Sequence, residues 1–485
     1  MRQTRSKTAQ STGVNNSLAT PSKLKSSLNF NNAPLSTARK VIVNEGNKRP
    51  NQSNQNRNKL SIAQYSPDKE PIKTYLRVRN QDSSKNLSNP YLKVISPSQV
   101  ELSPPFNSRL SMANSQSIER YAFTKVFDHS HNDQNHDPQS DFFNLTTLPL
   151  VQDVLCNFQN ALLFAYGVTN SGKTYSMQGG NNEGEQGIIP RTLDVIFNSI
   201  GDRKAGHDFR PSKISGVEST KPTVHQSSLL SGFGNNRHQH AQFFHDVFPG
   251  NPPPLAKSES KQFDLDEGFS YAIWISFAEI YNEKIYDLLE SLPSTSSLQP
   301  SGSMSSLGTS LSRKTTIVVK RKALGVRSDK DAEAKYIEGL REVRCDNPEQ
   351  ARALLELGTH NRQVFSTLAN RASSRSHSIF NIRVMKVDNR APKDPNSVTF
   401  SRLSLVDLAG SERSKNTGNT GERLREAGNI NKSLMVLGQC MEILRSNQRK
   451  QDSKKPTPVP FRHSKLTEIF QSYFVGDGKA VSTLF

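Results

Sequence analysis

Hydrophobic positions are unevenly spread along the chain, and the texture changes near residue 71. Residues 1–70 are mostly Ser, Asn, Gln, Thr, Lys and Arg with almost no aromatics, too little apolar surface to offset the entropy of ordering. A disordered basic arm is expected there. From Pro71 onward apolar clusters recur. The run 72–78, with Ile72, Thr74, Tyr75 and Val78, reads as a strand from its β-branched and aromatic content. Residues 160–166 and 402–407 read as buried strands and 379–387 as another, while 422–445 places Leu424, Ala427, Ile430, Leu434, Leu437 and Met441 at helical spacing. Two stretches break the pattern: 201–268, which has little periodicity, and the Ser/Gly/Leu-rich 291–312. Both are expected to be surface insertions in one folded unit spanning 71–485. Strands alternating with helical patterns predict α/β layering.

Composition narrows the function classes. Only 33% of the 485 residues are hydrophobic, so much of the chain lies outside any core. Cys156, Cys345 and Cys440 are widely spaced; they form neither a disulfide framework nor a metal cluster and fit a reducing, cytoplasmic compartment. No uncharged apolar run approaches the roughly 18 residues of a span, and the N-terminus has no signal core. A membrane protein and a secreted protein are therefore not expected. Nine of the 19 net positive charges fall in residues 1–70, where 12 basic residues face 3 acidic ones, and ten in the rest. That excess favours a polyanionic partner, whether nucleic acid, acidic membrane or acidic protein surface, without choosing among them.

The strand ending at Tyr166 runs into Gly167-Val168-Thr169-Asn170-Ser171-Gly172-Lys173-Thr174, a full match to the phosphate-loop pattern G-x-x-x-x-G-K-S/T in its strand context. Glycines let backbone N–H groups converge on phosphate oxygens at the start of a helix. Lys173 then reaches the β/γ-phosphates of a nucleoside triphosphate, and the Thr174 hydroxyl serves Mg²⁺. Two further segments can sense the terminal phosphate. Asn370 to His377 (with Ser373, Ser374, Arg375 and Ser376) precedes the strand 379–387, and Asp407-Leu408-Ala409-Gly410-Ser411-Glu412 closes another strand. Asp407 can hold Mg²⁺ through water, Ser374 can complete its coordination, and the Gly410 N–H can bond the γ-phosphate while it is present. Loss of that phosphate would release both loops.

The spelling N-x-x-S-S-R-S-H followed by D-L-A-G-S-E, downstream of such a loop, resembles the kinesin motor domain from about Lys73 to Phe485. The resemblance implies a P-loop NTPase of the kinesin/myosin type: a central mixed β-sheet with helices on both faces. It implies ATP as nucleotide, and no guanine-reading N-K-x-D motif is present. It further implies that Arg375 pairs with Glu412 around the lytic water with Ser373 nearby. Arg77 and Asn80 would belong to the adenine pocket, with Tyr175 stacking on the base. Asn80 stands where most relatives have proline.

By the same resemblance the helix after Glu412 is a relay lying on tubulin, and the partner is the microtubule rather than nucleic acid. Lys432 on that helix, Lys454 and Lys455 in the following loop, and Arg462 and Lys465 in 459–467 are the expected track-facing cations. Gly428 stands where many relatives carry a basic residue, and His463 where Asp is usual. The long insertion is similar to the mitotic kinesin-like proteins of the sixth kinesin class, which implies spindle-midzone microtubules and cytokinesis. The end at Phe485 is expected to fall within the family's last central strand, ahead of any oligomerisation region. A microtubule-bundling protein with a vestigial nucleotide site is the alternative, against which intact Lys173, Thr174, Ser374, Asp407, Gly410 and Glu412 argue.

Overall fold

The computed structural model describes residues 71–79, 91–103, 118–128, 137–180, 184–214, 216–220, 259–290, 321–329, 334–368, 373–412, 422–449, 456–476 and 478–485. The expected arm 1–70, Asn80, the stretch 291–312, Lys454 and Lys455 lie outside them. In chain order the strands are β1 (Lys73–Arg77), β2 (Leu92–Ser96), β3 (Gln99–Leu102), β4 (Glu119–Ala122), β5 (Lys125–Phe127), β6 (Asn160–Tyr166), β7 (Phe209–Ser212) and β8 (Gly216–Ser219). They continue with β9 (Phe269–Tyr281), β10 (Lys284–Asp287), β11 (Gly325–Asp329), β12 (Ala334–Glu338), β13 (Val343–Cys345), β14 (His377–Asp388), β15 (Val398–Asp407) and β16 (Gly478–Leu484). The α-helices are α1 (Pro138–Thr146), α2 (Leu148–Leu155), α3 (Lys173–Gln178), α4 (Ile188–Ile200), α5 (Pro348–Leu368), α6 (Glu422–Arg449), α7 (Lys465–Ile469) and α8 (Gln471–Val475).

Nine of the described strands form one mixed sheet in the order β10-β9-β14-β15-β6-β16-β1-β5, with β13 also paired to β9. The half from β15 to β5 is parallel, whereas β9, β10, β13 and β14 pair antiparallel. β6 shows why helices cover both faces. Its side chains alternate across the sheet, so Ala161, Leu163 and Ala165 join one core with α2, α4 and α5, while Leu162 and Phe164 join another with α6 and α8. A central strand buried on both faces reads as a continuous apolar run. β16 fits between β6 and β1, pairing with β6 from Gly478 to Leu484.

Two expectations change. The stretch 201–268 is folded at both ends: Ala205 and Phe209, at the start of the β7–β8 hairpin, pack with Trp274 and Met385, and Leu265 is buried in the main core. Glu259 is buried against Arg191, and Ser199 Oγ accepts from Phe263 N. A few anchoring apolar residues suffice there, and average composition hides them. The long helix also runs on past 445, because Asn447 Nδ2 donates to Thr457 O and Asn447 Oδ1 accepts from Thr457 N, both at 2.8 Å. No described helix is long and apolar enough to cross a membrane.

Candidate functional site

At the carboxyl ends of the parallel strands, β6 hands the chain to the loop 167–172 and α3 begins at Lys173. Gly167 admits no side chain, since a Cβ would lie 2.6 Å from the Phe485 carbonyl oxygen. Gly172 has φ +107°, a conformation L side chains rarely adopt, and nothing lies within 4 Å of where its Cβ would point. The loop is thus held tightly against the sheet while its outer side stays open. Thr169, Asn170, Ser171, Gly172, Lys173, Thr174 and Tyr175 all line a cavity of about 970 Å³, whose other walls include Arg77, Arg362, Ser374 and Asp407.

Inside this cavity Thr174 Oγ1 donates to Asp407 Oδ2 at 2.9 Å. The same oxygen accepts from Arg362 Nη1 at 3.2 Å, whereas Asp407 Oδ1 is buried without a protein partner. Buried polar atoms are rarely left so. An orphan carboxylate oxygen beside a threonine hydroxyl, with Ser374 on the same wall, is the hard-oxygen donor set that Mg²⁺ takes alongside substrate phosphates and water. Those residues fit the ion. Lys173 is buried and its Nζ donates to Gly167 O at 2.9 Å and Val168 O at 2.7 Å. Burial pulls its pKa below the ordinary lysine range, with Asp407 and Glu412 opposing.

The two expected sensor loops meet at this cavity. Ser373–Arg375 form a 3₁₀ turn, and the Ser374 carbonyl accepts from Gly410 N at 2.7 Å. Glu412 departs from expectation. Its carboxylate accepts from Thr169 N at 3.0 Å and Thr169 Oγ1 at 2.5 Å, so among the described contacts it is held by the phosphate loop and not by Arg375, which has a partner of its own. The physical reason is reach: the Thr169 amide and hydroxyl point together at one position and suit an anionic acceptor. Burial pushes the Glu412 carboxyl up, but hydrogen bonds from Thr169 and from its own amide, with the nearby Lys173 charge, together leave the pKa below the ordinary value.

On the base side, Arg77 Nη1 donates to Gln139 Oε1 at 2.6 Å and Ser176 Oγ at 2.8 Å. Its guanidinium lies 4.9 Å from the Phe142 ring centroid and 6.0 Å from that of Tyr175. Burial brings the Arg77 pKa down to about 10. Tyr175 keeps an exposed ring, and Val168 is exposed at the loop tip. Arg79 ties to the loop through Asn170 O at 2.6 Å.

The expected track-facing residues sit elsewhere. Lys432 on α6 and Arg462 and His463 ahead of α7 are exposed, while Lys465 is half-buried and ion-paired with Glu468 at 2.8 Å. The turn between β9 and β10 joins these elements: Asn282 Oδ1 accepts from Asn429 Nδ2, and Glu283 Oε2 accepts from Lys465 N at 2.7 Å. Asn282 and Glu283 both take positive φ, at 50° and 57°, which turns the strand sharply enough to reach both.

Arg362 on α5 is the functional residue that motif reading misses. Beyond Asp407 it donates to Ser376 O at 2.7 Å, Ser376 Oγ at 3.2 Å and Ser378 Oγ at 3.1 Å, and it is buried. Gln139, which also donates to Tyr175 O at 3.1 Å, is another. A signal for Arg362 exists: it falls eight residues after Leu354, on the helical face that carries Ala351, Leu354 and Leu355 into the core.

A phosphate loop joined to two such sensor loops on a mixed sheet defines a class, and comparison with known proteins gives the family. The kinesin motor domain model matches residues 76–483, and the chain belongs to that family. Among curated relatives it is 36% identical over 428 residues to kinesin-like protein KIF23 of Mus musculus, covering 85% of this chain and 40% of that protein. It is 33% identical over 455 residues to kinesin-like protein KIF20A of Homo sapiens, covering 85% and 47%. Against kinesin-like motor protein 9 of Schizosaccharomyces pombe it is 33% identical over 403 residues, covering 82% and 55%. A solved structure described as kinesin 6 superposes with a TM-score of 0.63 at 30% identity, covering 86% of this chain and 93% of that one. The likeness to the sixth kinesin class is therefore borne out. The chain spans about half the length, or less, of the curated relatives it matches.

Proposed function

We propose that this chain is an ATP-hydrolysing microtubule motor domain serving the mitotic spindle and cytokinesis. One observation carries the reading: the Gly410 amide is bonded to the carbonyl of Ser374, which comes from a separate loop and lines the phosphate-loop cavity. Membership of the kinesin motor domain family supports the microtubule as partner, and the likeness to a structure described as kinesin 6 supports the mitotic setting. Cytoplasmic microtubules, in particular those of the spindle midzone, are the corresponding location.

The chain's own groups divide the work. The amides of 167–172 and Lys173 hold the phosphates, and Tyr175 with Arg77 takes the base. Thr174, Ser374 and Asp407 would hold Mg²⁺, which when bound neutralises charge on the phosphates. Gly410 N–H is the donor that can be exchanged between Ser374 O and a terminal phosphate oxygen. Glu412, held by Thr169 here, would leave the phosphate loop to pair with Arg375 near Ser373 when the site closes. Lys432, Lys454, Lys455, Arg462 and Lys465 meet the acidic filament by a screened, salt-sensitive attraction.

The test is steady-state ATP turnover with and without polymerised tubulin, with nucleic acid as a control polyanion. Stimulation by the polymer alone is expected. Microtubule binding without turnover, or equal stimulation by nucleic acid, would overturn the reading.

A further inference from the structure

His377 opens β14 directly after the loop that carries Ser374, and it is buried, with 3% of its surface exposed. Its ring touches two other elements. Ala409 N donates to Nδ1 at 3.0 Å, and Nε2 lies 2.8 Å from Ser433 Oγ on α6. Ser433 Oγ donates in turn to Ile430 O at 2.7 Å. These partners leave one consistent tautomer. Nδ1 accepts and so bears no hydrogen, Nε2 carries the proton and donates to Ser433 Oγ, and the serine hydrogen goes to Ile430. Burial, with Arg362 adding to it, pushes the His377 pKa down to about 3, so the ring is neutral at physiological pH.

Ala409 immediately precedes Gly410, whose N–H is held by Ser374 O. Two consecutive amides of the 407–412 loop are therefore bonded to the 373–377 segment, one through backbone and one through the His377 ring. Adjacent peptide planes share an α-carbon, so displacement of Gly410 carries Ala409 with it. The imidazole is buried between the Ala409 amide and Ser433 on α6, and leaving either partner would strand a buried polar group. Following Ala409 is the alternative.

We propose that His377 is a positioning residue that transmits displacement of the 407–412 loop to α6 through Ser433. The assignment rests on the motor reading above. It gives the His of the N-x-x-S-S-R-S-H spelling a task distinct from holding nucleotide, because the ring contacts amide and relay helix and does not line the cavity.

The experiment is co-sedimentation of the full chain with microtubules in a non-hydrolysable ATP analogue and in ADP, alongside nucleotide affinity measured without microtubules. Wild type is expected to show an affinity ratio between the two nucleotides within the about 5–150-fold range of coupled sites. Ser433→Ala is expected to collapse that ratio toward equal affinity while nucleotide affinity without microtubules stays as in wild type, and Ser433→Thr, which keeps the hydroxyl, is expected to restore it. A purely structural role predicts a lower melting temperature with the ratio retained, and that result overturns the proposal. Should the alanine variant not fold, Ser433→Cys keeps the volume, weakens the hydrogen bond and gives the same readout. Equal affinities in wild type itself would instead overturn the motor reading.

Discussion

The floor of the phosphate cavity and the outer side of the long helix are held in opposite ways. In the cavity Arg362 has four acceptors, Lys173 two carbonyls, and Asp407 both a hydroxyl and a guanidinium, all in buried positions. Along the proposed track-facing side Lys432, Arg462 and His463 are exposed, and Gly428 has open space around it. A site that recognises a phosphate must place each atom within a few tenths of an ångström, so every contact is overdetermined. A surface that attracts an acidic filament needs little more than the right sign of charge. The first should break sharply under substitution and the second should tolerate it.

The largest contrast lies in stability. Arg362→Met leaves the Asp407 carboxylate and the Ser376 carbonyl buried without their cation, and should cost about 3–5 kcal/mol, whereas exposed Arg462→Met should stay within about 0.5 kcal/mol. Denaturant melts of both variants check this. Comparable losses would mean that the two regions are held alike.

Activity gives the next contrast. Lys173→Ala removes a preorganised charge from the phosphate loop and should lower ATP turnover by about 10²–10³-fold or more. A steady-state assay at saturating microtubules measures it.

Much of the site was legible in the sequence. β6 covers the expected 160–166, the loop 167–174 turns as the glycines require, and Ser374, Asp407 and Gly410 converge on it from positions more than 200 residues downstream. Short motifs are readable because each residue must hit a fixed point. Arg362 was missed because its only sign, a single charge on an otherwise core-facing helical face, does not name a partner or a chemistry. The Glu412–Thr169 contact was missed because hydrogen-bond choice between two nearby donors is settled by tertiary geometry. The folded ends of 201–268 escaped because Phe209 and Leu265 are isolated apolar residues in polar surroundings.

Acid should expose a further difference. His377 in the folded chain is held neutral down to about 3 against an ordinary 6.5. The unfolded chain therefore binds more protons between those values, and stability is full above pH 6.5 and lost as pH falls toward 3. The slope from this residue is at most about 1.4 kcal/mol per pH unit. His377→Asn should flatten the pH dependence of stability in that window, as read from denaturant melts across it. The smallest effect is expected at Gly428. Alanine there meets nothing within 4 Å and should stabilise the helix by about 0.5–1 kcal/mol, whereas Gly167→Ala must displace the Phe485 carbonyl and should destabilise. Thermal melts of the pair rank them.

In the proposed motor one amide, Gly410 N–H, is exchanged between the Ser374 carbonyl and a terminal phosphate. A crystal structure of the chain with Mg²⁺ and a non-hydrolysable ATP analogue tests it most directly. Gly410 N is expected within about 3 Å of a terminal phosphoryl oxygen, with the 2.7 Å bond to Ser374 O opened. An intact Ser374–Gly410 bond, with both residues remote from that phosphate, would contradict it.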